Sequence, residues 1–97
     1  MILIVDDNTL NMVATCKMLM QLNQLTSYAS SGQEAVDFIK NRITNRNVLP
    51  MYKLVICDYS MPDMDGFACL QAIRDLFINH KNLKPPYLCC FTAYPLN

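Results

Sequence analysis

The sequence predicts an α/β domain built on a doubly wound parallel sheet, and three observations carry that prediction. Two short runs, Ile2-Leu-Ile-Val5 and Leu54-Val-Ile-Cys57, are apolar throughout, as strands buried on both faces of a parallel sheet must be. Each run ends abruptly on a carboxylate, Asp6 in the first and Asp58 in the second, and passes into a loop. Between and beyond them lie segments with helical spacing of apolar residues, joined by short connections. The order strand, helix, strand, helix, strand, helix, strand is the signature of parallel crossover units.

Each element has its own signals. Residues 2 to 5 form the first strand, after which Asn8 or Thr9 caps a helix running to about Leu22. Leu10, Val13, Ala14, Met18 and Leu22 recur at helical spacing and are expected to face inward, with Met12, Cys16, Leu19 and Met20 widening the apolar arc. So wide an arc also suits a partner surface, but methionine commonly fills gaps in a core. Residues 24 to 29 read as a weak second strand at the sheet's edge. Ser31-Gly-Gln-Glu34 is a capping box, and Ala35, Phe38 and Ile39 supply the stripe of a helix ending near Arg42. Residues 43 to 52 are polar with a proline and read as a connecting loop. After the Asp58 strand, Asp65 or Gly66 opens a third helix with Phe67, Leu70, Ile73 and Phe77 inward. Pro85-Pro86 blocks further helix, and Tyr87 to Phe91 is a fourth strand ending in Thr92.

Composition sets the limits. A chain of 97 residues that is 53% hydrophobic suits one small domain, residues 1–97, with a modest core. Formal net charge is +0, so no long-range field draws the chain to nucleic acid or to an anionic membrane. No apolar run is long enough to span a bilayer and no signal peptide is visible, which gives a cytoplasmic expectation and no membrane contact from this segment. Asp6, Asp7, Asp58, Asp63 and Asp65 lie in loops that precede helices, whereas Lys40, Arg42, Arg46, Lys53, Lys81 and Lys84 lie in connections that follow them. Alternating strands and helices would send these two sets to opposite ends of the sheet, in the sense the helix dipole favours. Cys16, Cys57, Cys69, Cys89 and Cys90 show no CxxC spacing and read as reduced core residues.

The chemistry gathers at the strand ends. Asp6, Asp7, Asp58 and Thr92 all stand at carboxyl ends of strands, the edge where open α/β sheets bind ligands. Carboxylates crowded there raise one another's pKa unless a cation joins them, and magnesium accepts a few oxygen ligands while leaving room for a phosphate oxygen. A carboxylate at the metal's edge, free to attack phosphorus, outlines an aspartyl-phosphate site. Taken singly, each acid is equally well a solvated loop residue or a helix cap, and Asp63 and Asp65 are read that way. His80 lies in a loop and is read as a surface residue.

Three strings, Ile2-Leu-Ile-Val-Asp6-Asp7-Asn8, Asp58-Tyr-Ser-Met-Pro-Asp-Met-Asp65-Gly66 and Phe91-Thr92-Ala93, resemble the successive motifs of the response-regulator receiver domain of two-component phosphorelays. The Asp6 to Ala14 stretch further resembles receivers attached to hybrid sensor histidine kinases. The resemblance implies a flavodoxin-like fold with strand order 2-1-3-4. It implies that Asp58 accepts a phosphoryl group from a phosphohistidine on a sensor histidine kinase or a histidine phosphotransfer protein. Mg2+ would be held by Asp7 and Asp58 directly, by Asp6 through water and by the Ser60 backbone carbonyl, and Thr92 would be the switch hydroxyl. The domain is then a phosphoacceptor rather than an enzyme, though its parent chain can be a hybrid histidine kinase, and the segment the cytosolic part of a membrane-anchored one. Members of the family continue with a fifth strand that carries a lysine for the phosphoryl group, and with further helices; these are missing here, since Lys81 and Lys84 precede the fourth strand. The domain is therefore expected to be incomplete at its C-terminus and poorly folded alone. The alternative is a pseudo-receiver, an interaction module without phosphotransfer. A phosphohydrolase of the haloacid-dehalogenase type needs a second acid two residues after the nucleophile, where this chain has Ser60. Partner choice would rest near the first helix, with Asn11, Met12 and Thr15 as candidates.

Overall fold

The computed structural model describes residues 1–91. In chain order the elements are β1 (Ile2–Val5), α1 (Thr9–Gln21), β2 (Thr26–Ala29), α2 (Gly32–Thr44), β3 (Leu54–Asp58), α3 (Gly66–Leu76) and β4 (Tyr87–Phe91). The strands form one sheet in the order β2-β1-β3-β4, and every pairing is parallel. Val5 lies opposite Cys57, so one residue further on the two strands release Asp6 and Asp58 side by side. That register is what makes a site out of two distant loops.

Side chains of successive strand residues point to opposite faces, and each face recruits its own helices. Leu3, Val5, Val55 and Cys57 pack with Ala35, Ile39 and Ile43 of α2 and Cys69 and Ile73 of α3 in the larger core. Ile2 and Ile4 pack with Met12 of α1 in a smaller one. The helix starts follow their caps: Asn8 accepts from the Asn11 amide at 3.0 Å, Ser31 from Glu34 at 3.1 Å and Asp65 from Ala68 at 2.8 Å. The Ser31 box is one-sided, because Glu34 accepts from the Ser30 hydroxyl instead.

Several expectations are corrected. In α1 the stripe of Leu10, Val13, Ala14, Met18 and Leu22 faces solvent, with Leu10 82% exposed, while Met12 is buried and Cys16 and Leu19 are half-buried. The apolar arc of α1 is so wide that periodicity fits more than one phase, and contact with Ile2 and Ile4 selects the 12-16-19 face. In α3, Phe67 is exposed and Cys69 takes the inward position. Helix α2 continues to Thr44, since burying Ile43 against the larger core holds two further residues in helix. Lys40 and Arg42 consequently lie within α2 rather than after it, and Arg42 is fixed by the Pro50 carbonyl at 2.9 Å and by the Tyr52 ring. Strand β2 begins at Thr26, with Leu25 exposed before it. All five cysteines are free, but only Cys57 and Cys69 are buried; Cys16 and Cys90 are half-buried and Cys89 is exposed.

Candidate functional site

Two tight turns aim the acids. After β1 the Asn8 amide donates to Asp6 Oδ1 at 2.9 Å, folding the chain back so that Asn8 can also cap α1. This leaves Asp7 exposed between a buried Asp6 and the helix start. After β3 the Ser60 amide approaches Asp58 Oδ1 at 3.4 Å. The β3–α3 loop is tied at both ends, by the Tyr59 amide to the Phe91 carbonyl at 2.8 Å and by the Gly66 amide to the Tyr59 carbonyl at 2.9 Å. Gly66 closes it because there is no space for a side chain: a Cβ there would lie 2.8 Å from the Asp58 carbonyl oxygen and 2.7 Å from Cys90 Sγ.

One ligand oxygen from each of Asp6, Asp7 and Asp58 falls within 4.8 Å of the others. Asp6 is 2% exposed and Asp58 8%. Burial, and then the charges of Asp58 and Asp7, push the Asp6 carboxyl above its ordinary value of 3.8, against the lowering pull of the Asn8 amide. Three converging carboxylates of which one resists ionisation form a donor set that a hard divalent cation satisfies. The residues therefore fit such an ion. Lys53 and Lys84 stand at the other end of the strands: the Lys53 amide bonds the Met1 carbonyl, and Lys84 lies over the ring of Tyr87. The sequence-derived separation of acids from these bases holds.

Of the sequence-derived site residues, the structure brings together Asp6, Asp7 and Asp58, and places Ser60, exposed, beside them. Thr92 lies outside the described residues. Sequence reasoning missed two features. The close approach of Gly66 to β3 and β4 has only a glycine after an acid as its signal. The exposed Tyr59 and Phe67 meet edge to face, 5.1 Å between ring centres, next to Asp58, and nothing in their spacing announces the pair.

The sequence model of the response regulator receiver domain matches residues 2–84, which takes in both acid-bearing strand ends and all three helices. This chain belongs to the receiver domain family. A hybrid signal transduction histidine kinase B from Dictyostelium discoideum is 34% identical over 85 residues, 88% of this chain and 4% of that protein. The chain thus spans a small fraction of that relative's length. Among solved structures, the receiver domain of the histidine kinase CKI1 from Arabidopsis thaliana complexed with Mg2+ matches with a TM-score of 0.81 at 20% identity, over 99% of this chain and 69% of that one. A chain of the co-crystal of the Saccharomyces cerevisiae histidine phosphotransfer protein Ypd1 and the receiver domain of Ssk1 matches with a TM-score of 0.80 at 24% identity, over 98% and 64% respectively. These likenesses establish the receiver fold, and the acids of this chain stand at the carboxyl ends of its strands.

Proposed function

We propose that this receiver domain takes a phosphoryl group from a phosphohistidine onto Asp58, and that the parent protein is a hybrid histidine kinase or a partner of one in a phosphorelay. The observation that carries the reading is the convergence of Asp6, Asp7 and Asp58 at one strand edge, with the acceptor nearly buried. An oxygen of Asp58 attacks phosphorus as the phosphorus–nitrogen bond to the donor imidazole breaks, and the released nitrogen keeps the electron pair. Asp58 approaches with its carboxylate oriented by the Ser60 amide and shielded from water. Asp7 and Asp58 would hold magnesium directly, Asp6 through water, with the Ser60 carbonyl as a further ligand. When bound, the ion supplies charge neutralisation for the transferring oxygens. Thr92 is the proposed switch hydroxyl. The domain is read as a single receiver unit, residues 1–97.

The test is intact-mass analysis after incubation with acetyl phosphate and magnesium. One phosphoryl adduct is expected, and chelation should abolish it. Absence of an adduct both in this chain and in one extended to a fifth strand would establish the pseudo-receiver instead. A pH dependence accompanies this. Because the Asp6 pKa is raised in the folded state, the associated stability is present below about 3.8 and is lost as pH rises through the raised value. The metal-free melting temperature should therefore carry a downward slope above pH 4 that Asp6→Asn removes. Magnesium should raise the melting temperature more at pH 7 than at pH 4.5, since the ligands must be deprotonated to bind. An equal rise at both values would exclude Asp6 from the metal site.

A further inference from the structure

The outer edge of β4 is open. In the order β2-β1-β3-β4 it is a terminal strand, and among the described residues no strand pairs with its far side. Backbone groups along a strand turn alternately to its two sides, and the bonds to β3 fix which residues turn which way. The Tyr87 amide donates to the Lys53 carbonyl at 2.9 Å, and the Phe91 carbonyl accepts from the Tyr59 amide at 2.8 Å. Tyr87, Cys89 and Phe91 therefore direct their backbone groups to β3, while Leu88 and Cys90 direct theirs outward. The strand Tyr87–Phe91 has neither the charged side chain nor the internal proline that commonly blunts such an edge. Both faces beside it are apolar. On the α3 side an open cleft of about 520 Å³ runs between Phe67 and Leu70 of the helix and Leu88 and Cys90 of the strand. On the α1 side Cys89 is exposed, Tyr87 is 73% exposed and Ile56 of β3 is only half-buried.

We propose that this edge is a self-association surface, on which a second copy of the chain adds its own β4, antiparallel, about a twofold axis through Cys89. A twofold axis perpendicular to the sheet runs the facing edges antiparallel and makes the contact self-complementary. One symmetric register engages both outward residues within the strand. Centring on Cys89 lets Leu88 of each copy exchange both its backbone bonds with Cys90 of the other. Centring on Leu88 sets Cys90 against Pro86, which has no N–H, and centring on Cys90 sets Leu88 past the end of the strand. Because β4 is uncharged, no charge meets its own image across the axis. The two Cys89 residues then form a non-hydrogen-bonded pair with Cα atoms about 4.5 Å apart, within the span of a disulfide. Pairing β4 with the β2 edge of another copy would instead leave a free edge at each end and build open chains. In the twofold dimer the two acid clusters lie at opposite ends of the joined sheet, so neither covers the other. The dimer therefore does not depend on the phosphoacceptor reading.

The experiment is sedimentation velocity on the whole chain over a dilution series. A reversible species of twice the chain mass is expected. Diamide, which takes up the two thiol hydrogens, should then give a disulfide-linked dimer in the parent chain and in Cys90→Ser, but not in Cys89→Ser. Cys89→Lys and Cys89→Glu each set like charges against one another at the axis and should weaken the dimer several-fold. An equimolar mixture of the two should restore it, which a pair of misfolded variants could not do. A monomer at every concentration overturns the proposal. Masses that keep growing with concentration indicate open-ended addition and overturn the twofold. A dimer indifferent to both charges at position 89, or linked equally well in Cys89→Ser, places the contact elsewhere and overturns the β4 edge.

Discussion

Asp58→Asn is expected to abolish phosphoryl uptake altogether while leaving the chain at least as stable as before. The amide oxygen of asparagine carries no formal charge and is a poor nucleophile, so no adduct should appear in the mass spectrum at any time at which the unmutated chain is substantially labelled. Stability should move the other way. Asp58 is nearly buried and faces Asp6, whose ionisation it opposes, so removing its charge relieves a like-charge contact in the metal-free protein. Asparagine keeps the Oδ1 that accepts from Ser60. A melting temperature in chelator equal to or above that of the parent, together with complete loss of the adduct, would separate chemistry from folding. An adduct surviving in Asp58→Asn at the parent's rate places the acceptor elsewhere, and Asp7 would be the next candidate.

Gly66→Ala should damage both fold and site, although it adds one methyl group. That methyl would lie 2.8 Å from the Asp58 carbonyl oxygen, 2.8 Å from Tyr59 Cα and 2.7 Å from Cys90 Sγ. Two of the three neighbours are backbone and cannot rotate away. Overpacking of this kind costs about 1–3 kcal/mol, measurable as a lowered urea midpoint. The space can be made only by lifting the start of α3 off β3, which breaks the Gly66 amide bond to Tyr59 and loosens the loop beside Asp58. Phosphoryl uptake is therefore expected to slow by roughly tenfold or more, since small misplacements of reacting groups are costly. The same change at Gly32 meets Met64, 2.9 Å from both its Cβ and its Sδ; only the sulfur can rotate away, so stability should fall here too, but the backbone of Asp58 and Tyr59 is not among the atoms met and uptake should suffer less. Equal effects at the two glycines would show that general destabilisation, not loop position, controls uptake.

Much of this arrangement was legible in the residues themselves. Apolar runs that end on Asp6 and Asp58 state both that a strand is buried on two faces and where it stops, because a carboxylate needs polar partners or a cation, which the apolar sheet interior lacks and the loop edge supplies. The caps Asn8, Ser31 and Asp65 declare their helices for an equally local reason: a side-chain oxygen satisfies an amide two or three residues away. Where a signal depended on distant neighbours, sequence reasoning failed. Leu10, Val13, Met18 and Leu22 have the period of a buried stripe, but so do Met12, Cys16 and Leu19, and only the sheet face decides between them. Phe67 looks like a core residue by type and spacing, yet sits outside against Tyr59.

By itself, then, the sequence determined the kinds of element, their order and the identity of the acids at the strand ends, since capping, periodicity and strand termination act over a few residues. Only the tertiary structure decided that Val5 stands opposite Cys57, that Asp6, Asp7 and Asp58 consequently converge within 4.8 Å, and that Gly66 packs against the backbone of Asp58 and Tyr59. Register and helix phase are choices among near-equivalent local alternatives, and burial shared between distant segments is the free energy that selects one.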